Sequence, residues 1–374
     1  MRESVASSAL WLHTGPFFGT EHFLLPATPF TSFRIIERAS MITEGPWPGK
    51  RPNLLPLGCR REGVLPVPCP MPYNATMTEK LESNVFKTAL LFEGGSMRGA
   101  YTCAVTAYLL EQGVYFDNVY GVSSGSSNAV NYVSRDINRA VGSFTEFIAL
   151  PNIGDWKTFL MHKGLFNAEY IYERAGLPTG PLPFDIDTFN ASPAKATIAA
   201  FERDTGRDLF FRKDEMRTTA ELMRRVRASS TVPLMMPPPK VNGRYCYDGG
   251  FAAGGGLPLE QIERDGFQKV FVVRTRKRGY RKPAGGNEWA RAFFWRRPEM
   301  RDAMLTRNAR YNAACDLLDE WEREGRAYVF YSENLTLTGY ERDYDAMWRN
   351  FESGYAQIVR DWGRLTAFLA DAEA

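Results

Sequence analysis

Ser123 stands in a short pattern that is typical of nucleophilic serines. Residues 121–125 read GVSSG and match G-x-S-x-G, with Gly121 and Gly125 on either side of the serine. A serine in this pattern sits on a sharp, strained turn between a strand and a helix, and only small neighbours let the two elements pack around it. The helix that follows directs the positive end of its dipole at the serine oxygen. By itself the pattern is weak evidence, because a structural small-residue turn is the alternative.

A glycine-rich loop upstream could stabilise negative charge on a reacting oxygen. The loop follows an apolar run, opens a predicted helix, and consists of Gly94, Gly95, Ser96, Met97, Arg98 and Gly99. Glycines let the backbone come close to a ligand, and N–H groups at the start of a helix can hold an oxyanion. A nucleotide phosphate is the competing ligand, but neither G-x-x-x-x-G-K-[ST] nor the G-x-G-x-x-G spacing occurs in this loop.

A carboxylate is the third candidate group, because Asp248 precedes two glycines and so lies at a predicted tight turn. An Asp-Gly turn without a function is the alternative. Two of the three histidines precede residue 80, and His162 stands in MHKG, which has no catalytic signature. The sequence therefore predicts a Ser-Asp dyad in place of a Ser-His-Asp triad, with Asp248 accepting the proton of Ser123. A carboxylate is a weak base toward an alcohol, so the site must depend on the oxyanion loop and the turn.

The bulk composition is that of an ordinary globular protein. The chain has 374 residues, of which 44% are hydrophobic and 24% are charged, and its net charge of +3 does not indicate nucleic acid as a partner. Five cysteines without a C-x-x-C pair indicate reduced thiols, not a disulfide scaffold or a zinc site. No apolar run is long enough for a spanning helix, and the amino terminus lacks the features of a secretory signal. We therefore expect a cytoplasmic protein.

Residues 1–80 differ from the rest of the chain, since they contain 11 of the 23 prolines and show no helical or strand period. Proline lacks the N–H and fixes φ, so this region is predicted to be largely disordered. An upstream start assigned in error, with translation beginning at Met77, is the alternative. Residues 86–275 are expected to form a hydrolase domain, and residues 276–374 a basic loop followed by a helical extension packed on it.

Alternating strand and helix signals follow from about residue 86. Apolar runs predict buried strands at Thr88–Phe92, around residues 119–120 and at Lys269–Thr275, and a turn at residues 204–207 predicts a hairpin. A stripe of small and apolar residues between them predicts a helix that ends at Gly113. This order predicts an α/β fold, a three-layer sandwich with a mainly parallel central sheet and a helix-rich carboxyl-terminal extension.

In their order along the chain, these motifs resemble the patatin-like phospholipase family. That family combines a glycine-rich oxyanion loop ending in Arg-Gly or Lys-Gly, a G-x-S-x-G nucleophile elbow and a downstream Asp-Gly-Gly or Asp-Gly-Ala. The segment Ala228–Pro233 is similar to the family's Ala-Ser-x-x-x-Pro. The resemblance covers about residues 86–275, and residues 86–374 look most like a bacterial subgroup with a helical extension. Ser96 departs from the usual triple glycine, so a positive φ there would carry a penalty.

The resemblance implies a serine lipid acyl hydrolase that cleaves lipid carboxyl esters without a metal or organic cofactor. Ser123 would attack the acyl carbonyl, the N–H groups near Gly95 and Ser96 would hold the oxyanion, and Asp248 would serve as the base. An acyltransferase or thioesterase with the same dyad is one alternative. A catalytically silent lipid-binding protein is another.

A basic and aromatic stretch from Arg274 to Arg297 is a candidate for peripheral contact with a membrane. Its cations could attract anionic headgroups, and its aromatic side chains could lie at headgroup level. A solvated basic loop before a helix with core aromatics is the alternative. Ten aromatic residues between Trp321 and Trp362 are expected to belong to the core.

Overall fold

The computed structural model describes residues 81–150, 153–154, 158, 161, 164–285 and 287–373. The predictions for residues 1–80 and for His162 lie outside the described residues.

A mixed, mostly parallel sheet forms the middle layer of the fold. Its strands are Thr88–Phe92 (β1), Asn118–Val122 (β2), Lys195–Glu202 (β3), Asp208–Arg212 (β4), Lys240–Val241 (β5), Arg244–Asp248 (β6), Lys269–Val273 (β7) and Ala327–Phe330 (β8). Their order is β5-β6-β3-β2-β1-β7-β8, with β4 also paired to β3. The four pairs from β3 to β8 are parallel, and β4, β5 and β6 pair antiparallel. The predicted hairpin is confirmed, since β3 and β4 pair antiparallel across residues 203–207.

Helices cover both faces of the sheet. They are Gly99–Glu111 (α1), Ser124–Val133 (α2), Ile137–Gly142 (α3), Ile186–Ala191 (α4), Thr219–Ser230 (α5), Leu259–Arg264 (α6), Ala290–Phe293 (α7), Pro298–Arg323 (α8) and Tyr344–Glu373 (α9). Short 3-10 turns lie at Ser96–Arg98, Phe147–Ala149, Lys213–Glu215, Gly249–Phe251 and Ala253–Gly256, and a π-helical turn lies at Glu169–Arg174. Helix α1 ends where the sequence predicts, and Gly113 beyond it has a φ of 66°.

Alternate side chains of β1 point into two different cores, which is why the whole run is apolar. Leu90 and Phe92 pack among residues of α1, α2, α5 and α9 on one face. Ala89 and Leu91 pack among residues of α6 and α8 on the other. The predicted three-layer α/β sandwich is therefore confirmed.

The carboxyl-terminal region contributes to the sheet as well as to the helical layers. Its two long helices agree with the predicted helix-rich extension, but β8, which pairs parallel with β7, was not predicted. Helix α9 packs on α1, where the Tyr101 hydroxyl donates to Gln357 at 2.6 Å and Tyr108 contacts Trp362 edge-on at 5.0 Å. The aromatic residues from 321 to 362 are mostly buried or half-buried, as expected. The sheet thus continues across the predicted boundary at residue 275.

Among the described residues, no helix has the length and apolar character needed to cross a bilayer.

Candidate active site

Strands β2 and β6 meet end to end on one edge of β3. Strand β2 runs parallel to β3 and its Val122 lies opposite Ala199, whereas β6 runs antiparallel and its Asp248 lies opposite Ala200. Since β4 already pairs with Ala200 on one edge of β3, β6 must use the edge that β2 occupies. Ser123 directly follows β2, so the two predicted reacting groups, 125 residues apart in sequence, lie at adjoining strand ends.

The turn at Ser123 has the strained geometry that the motif predicts. Ser123 has φ 55° and ψ −127°, and α2 begins at the next residue. A Cβ on Gly121 would lie 2.5 Å from the Gly125 carbonyl oxygen, and one on Gly125 would lie 2.2 Å from the Phe92 carbonyl oxygen. Both glycines are therefore required by close backbone approach. The serine itself is half-buried, and its side chain does not cap the helix that follows.

The glycine loop lies directly against this turn. A Cβ on Gly94 would be 2.8 Å from the Cβ of Ser123. The Gly95 N–H donates to the Ser124 hydroxyl at 2.9 Å, so this predicted oxyanion donor already has a partner. No described residue supplies an acceptor for the Ser96 N–H. Ser96 has a positive φ, 54°, the conformation that carries a penalty for a non-glycine residue, and its hydroxyl donates to the Gly339 carbonyl at 2.7 Å.

The end of the loop is packed into the fold. Gly99 faces the ring of Phe144, which a Cβ would approach to 2.1 Å, so this glycine is needed for packing. Arg98 is half-buried, and its guanidinium lies 3.5 Å from the Gly95 carbonyl oxygen. Burial and the charge of Arg276 lower the pKa of Arg98 to about 10. Of the predicted loop residues, Gly94 and Gly95 therefore contact the turn that carries Ser123, whereas Arg98 and Gly99 pack at the end of the loop.

The carboxyl group of Asp248 is buried at the predicted Asp-Gly-Gly turn. It accepts a hydrogen bond from the Gly250 N–H at 2.6 Å, and Asp248 is only 5% exposed. Burial raises the pKa of Asp248 above its ordinary value, while hydrogen bonds from Ser123 and Gly250 and the charge of Arg307 oppose that rise. A carboxylate with a raised pKa, hydrogen-bonded to a serine side chain, is a better proton acceptor than one in water.

The last turn of α5 and the residue after it connect the two halves of the site. The Ser123 N–H donates to the Ser229 hydroxyl at 2.9 Å, and the Asp248 N–H donates to the Thr231 carbonyl at 2.9 Å. Ser229 and Thr231 belong to Ala228–Pro233, the segment singled out from the sequence without a role. The structure shows that these two residues hold the backbone of both Ser123 and Asp248.

A buried ion pair lies next to the start of the glycine loop. Glu93, which precedes the loop, pairs with Arg274 at 3.2 Å, and both side chains are at most 3% exposed. Glu93 also accepts hydrogen bonds from the Tyr311 hydroxyl at 2.6 Å and from the Thr275 N–H at 2.8 Å. The Thr275 hydroxyl in turn donates to the Gly94 carbonyl at 2.7 Å. Burial acts to raise the pKa of Glu93, but Arg274 and these hydrogen bonds hold it below the ordinary value.

The inclusion of Arg274 in a membrane-facing stretch is wrong, because its guanidinium is buried against Glu93. Further along, Arg278 pairs with Glu322 at 2.6 Å and Arg281 pairs with Asp316 at 2.7 Å. Of the aromatic residues in the stretch, Phe294 is buried and Trp289 is half-buried, whereas Phe293 and Trp295 are 56% and 64% exposed. The stretch therefore divides into a structural part, in which the arginines form ion pairs, and an exposed aromatic tip that consists of Phe293 and Trp295.

Sequence reasoning missed Arg307 and assigned Arg276 and Lys282 to a membrane-facing stretch, but Lys282 and Arg307 both act on the pKa of Asp248. The Arg307 Nε donates to the Gly250 carbonyl at 3.1 Å, which places this guanidinium beside the Asp248 turn. Lys282 and Arg276 follow β7 in the loop before α7, and Lys282 also acts on the pKa of Asp248. Arg307 and Tyr311 are four residues apart and share a face of α8. No local motif marks Arg307, which lies on α8 and comes close to Lys282 only in the folded chain.

Comparisons with known proteins agree with the motifs. The family model for patatin-like phospholipase matches residues 90–261, and a model for a domain of unknown function (DUF6363) matches residues 297–370. Among curated proteins, no sequence matches the chain. The crystal structure of VipD from Legionella pneumophila aligns with a TM-score of 0.39 and 13% identity, covering 76% of this chain and 67% of that one. A likeness at this TM-score supports no statement about function.

Proposed function

The chain carries a patatin-like phospholipase domain at residues 90–261, and we propose that it is a serine lipid acyl hydrolase whose reacting groups are Ser123 and Asp248. The observation that carries this proposal is the meeting of the two groups at adjoining strand ends. Asp248 is a buried carboxylate whose pKa burial raises, and Ser123 is near enough to oppose part of that rise. Burial thereby makes the Asp248 carboxylate a stronger base, next to the serine whose proton it would accept.

In the proposed reaction, the Ser123 hydroxyl oxygen attacks the carbonyl carbon of a lipid ester while Asp248 takes its proton. The tetrahedral intermediate collapses as Asp248 returns that proton to the departing alcohol, which leaves an acyl-enzyme. A water molecule then gives a proton to Asp248 and its oxygen attacks the acyl carbon. Departure of the fatty acid regenerates Ser123, which recovers the proton.

The oxyanion would be held by N–H groups of the glycine loop. The Ser96 N–H has no acceptor among the described residues, so it can donate directly. The Gly95 N–H donates to Ser124. It would exchange this neutral hydroxyl for the oxyanion, because a charged acceptor forms the stronger hydrogen bond. Arg98 and Gly99 would act by fixing the end of the loop.

The test is labelling of purified protein with a fluorophosphonate probe, together with hydrolysis of a short p-nitrophenyl ester. We expect wild type to label and turn over, Ser123→Ala to lose labelling, and Asp248→Asn to lose about 10²–10⁴-fold in rate. Ser126→Ala is the matched control, since its hydroxyl is also in α2 but bonds to the Ser123 carbonyl. If folded Ser123→Ala labels like wild type, Ser123 is not the nucleophile and the proposal fails.

A catalytically silent lipid-binding protein is a second candidate, and one observation favours it. Ser96 replaces a glycine at a left-handed position, and its hydroxyl ties the loop to the Gly339 carbonyl. A loop that cannot shift would bind an ester without turning it over. Saturable binding of lipid by a wild type that neither labels nor hydrolyses would support this candidate, and measurable turnover would exclude it.

A further inference from the structure

Four cations lie close together at the candidate site: Arg276 acts on the pKa of the other three, and two of these, Lys282 and Arg307, act on that of Asp248. Arg98 comes from the glycine loop, Arg276 and Lys282 from the loop after β7, and Arg307 from α8. Each of the four side chains is half-buried, so each is partly desolvated and still within reach of a ligand. Arg276, Lys282 and Arg307 lie outside residues 90–261, the part that matches the family model. They are a feature of this chain's carboxyl-terminal region.

Aromatic rings fix the two cations of the loop. The Arg276 guanidinium lies over the Tyr280 ring, 4.2 Å from its centroid, and the Lys282 ammonium lies 3.9 Å from the centroid of Tyr311. The two rings themselves meet edge-on at 6.2 Å. A guanidinium that stacks on a ring keeps its N–H edges free to donate. The cations are therefore positioned without their donors being consumed.

None of the four cations forms an ion pair with an acidic side chain of the described residues. Their basic neighbours in the same loop differ, since Arg278 pairs with Glu322 and Arg281 pairs with two aspartates. Glu93, the other carboxylate close to the cluster, is already neutralised by Arg274. Asp248 opposes the charges of Lys282 and Arg307, but it forms a close ion pair with neither of them.

The cations also repel one another. Burial and the charges of Arg307 and Arg276 lower the pKa of Lys282 well below its ordinary value. Burial lowers the pKa of Arg307 too, and Arg276 adds to that effect. Like charges held together away from water destabilise the empty arrangement, and a bound anion would relieve both the repulsion and the desolvation.

We propose that Arg276, Lys282 and Arg307, with Arg98, form a binding site for the phosphate of a lipid substrate whose headgroup is net negative. The inference rests on the proposed function, because it assigns the headgroup of the lipid whose ester Ser123 would attack. A zwitterionic headgroup such as choline would bring a further cation toward four unpaired ones. Selection of anionic lipid follows from that repulsion as well as from the attraction of the phosphate.

The experiment compares hydrolysis of phosphatidylglycerol and phosphatidylcholine with identical acyl chains in micelles of a neutral detergent. We expect wild type to prefer phosphatidylglycerol, and Arg276→Met or Arg307→Met to reduce the ratio of the two kcat/KM values by about tenfold. Arg276→Lys, which keeps the charge, should restore part of the ratio. Arg278→Met and Arg281→Met remove the same charge from the same loop but should leave the ratio at its wild-type value.

A second arm distinguishes the lipid phosphate from a free one. Inorganic phosphate is added to the hydrolysis of a neutral p-nitrophenyl ester by wild type and by Arg276→Met. Competitive inhibition that is weaker in the variant supports an anion site. If phosphate inhibits wild type while the lipid ratio is the same in every variant, the site takes a soluble phosphate and the headgroup assignment is wrong. A ratio that falls as much in the control variants reflects surface charge and overturns the proposal as well.

Failure of the proposed function gives a separate result. If wild type hydrolyses no ester, calorimetry with short-chain phosphatidylglycerol and phosphatidylcholine still measures the headgroup preference. Tighter binding of phosphatidylglycerol that is lost in Arg276→Met would support the anion site in a protein without hydrolase activity. Equal binding of the two lipids would refute the site whatever the activity.

Discussion

Glu93→Gln should destabilise the protein strongly, because it leaves a buried charge without a counter-ion. The Arg274 side chain is 1% exposed, and its guanidinium carries a positive charge that burial cannot remove. Removing one partner of a buried ion pair typically costs about 3–5 kcal/mol. Since folded proteins are stable by about 5–15 kcal/mol, the change would remove a large part of the free energy of unfolding.

The matched control is Glu260→Gln on the surface of α6. Glu260 pairs with Arg264 one turn away at 2.9 Å, and the two side chains are 68% and 65% exposed. Exposed pairs of this kind contribute about 0.2–1 kcal/mol. The same chemical change should therefore cost several times more at Glu93 than at Glu260.

Urea denaturation followed by circular dichroism measures both costs, with an unchanged slope showing that the unfolding transition is comparable. Combining Glu93→Gln with Arg274→Met should recover part of the loss, because no buried charge is then left unpaired. The pH dependence has a defined sign. The folded-state pKa of Glu93 is lowered, so its contribution is present above the unfolded pKa and disappears as the pH falls through the folded value. If Glu93→Gln costs no more than Glu260→Gln, the ion pair does not support the fold as we argue.

Three further predictions concern the site. Burial raises the pKa of Asp248 and the charge of Arg307 lowers it, so the acidic limb of the kcat/KM profile should lie above the ordinary aspartate range and move to higher pH in Arg307→Met; an unmoved limb would contradict the role of Asp248 as base. Gly125→Ala should prevent stable folding, because its Cβ would lie 2.2 Å from the carbonyl oxygen of the last β1 residue; a soluble variant with wild-type Tm would refute the close approach. Phe293→Ser with Trp295→Ser should weaken flotation with anionic liposomes, since both rings are more than half exposed; unchanged flotation would reject the aromatic tip as a membrane contact.

Much of the local structure was predictable because local sequence controls it. The apolar run of β1, the small residues around Ser123 and the turn between β3 and β4 each constrain their own backbone. Each of these features depends on the types of a few adjacent residues. It can therefore be predicted without knowing the rest of the fold.

Strand β8 and the burial of Arg274 could not be predicted in this way. Ala327–Phe330 is a four-residue apolar run between long helices, and its place in the sheet depends on β7 providing a free edge. Arg274 looks like the first residue of a basic loop, but it directly follows β7, its N–H donates to the Phe330 carbonyl, and its side chain lies against Glu93. Both outcomes depend on contacts with residues far away in the sequence.

The sequence by itself determined which residues could react. A serine elbow and an Asp-Gly-Gly turn can each be recognised from the types of a few adjacent residues. Only the tertiary structure decided what surrounds them. Ser229 reaches the Ser123 N–H from α5, and Arg307 reaches the Asp248 turn from α8. Cations on separate elements carry no shared pattern along the chain. Their common effect on one carboxylate arises from distance in space, which only the folded chain defines.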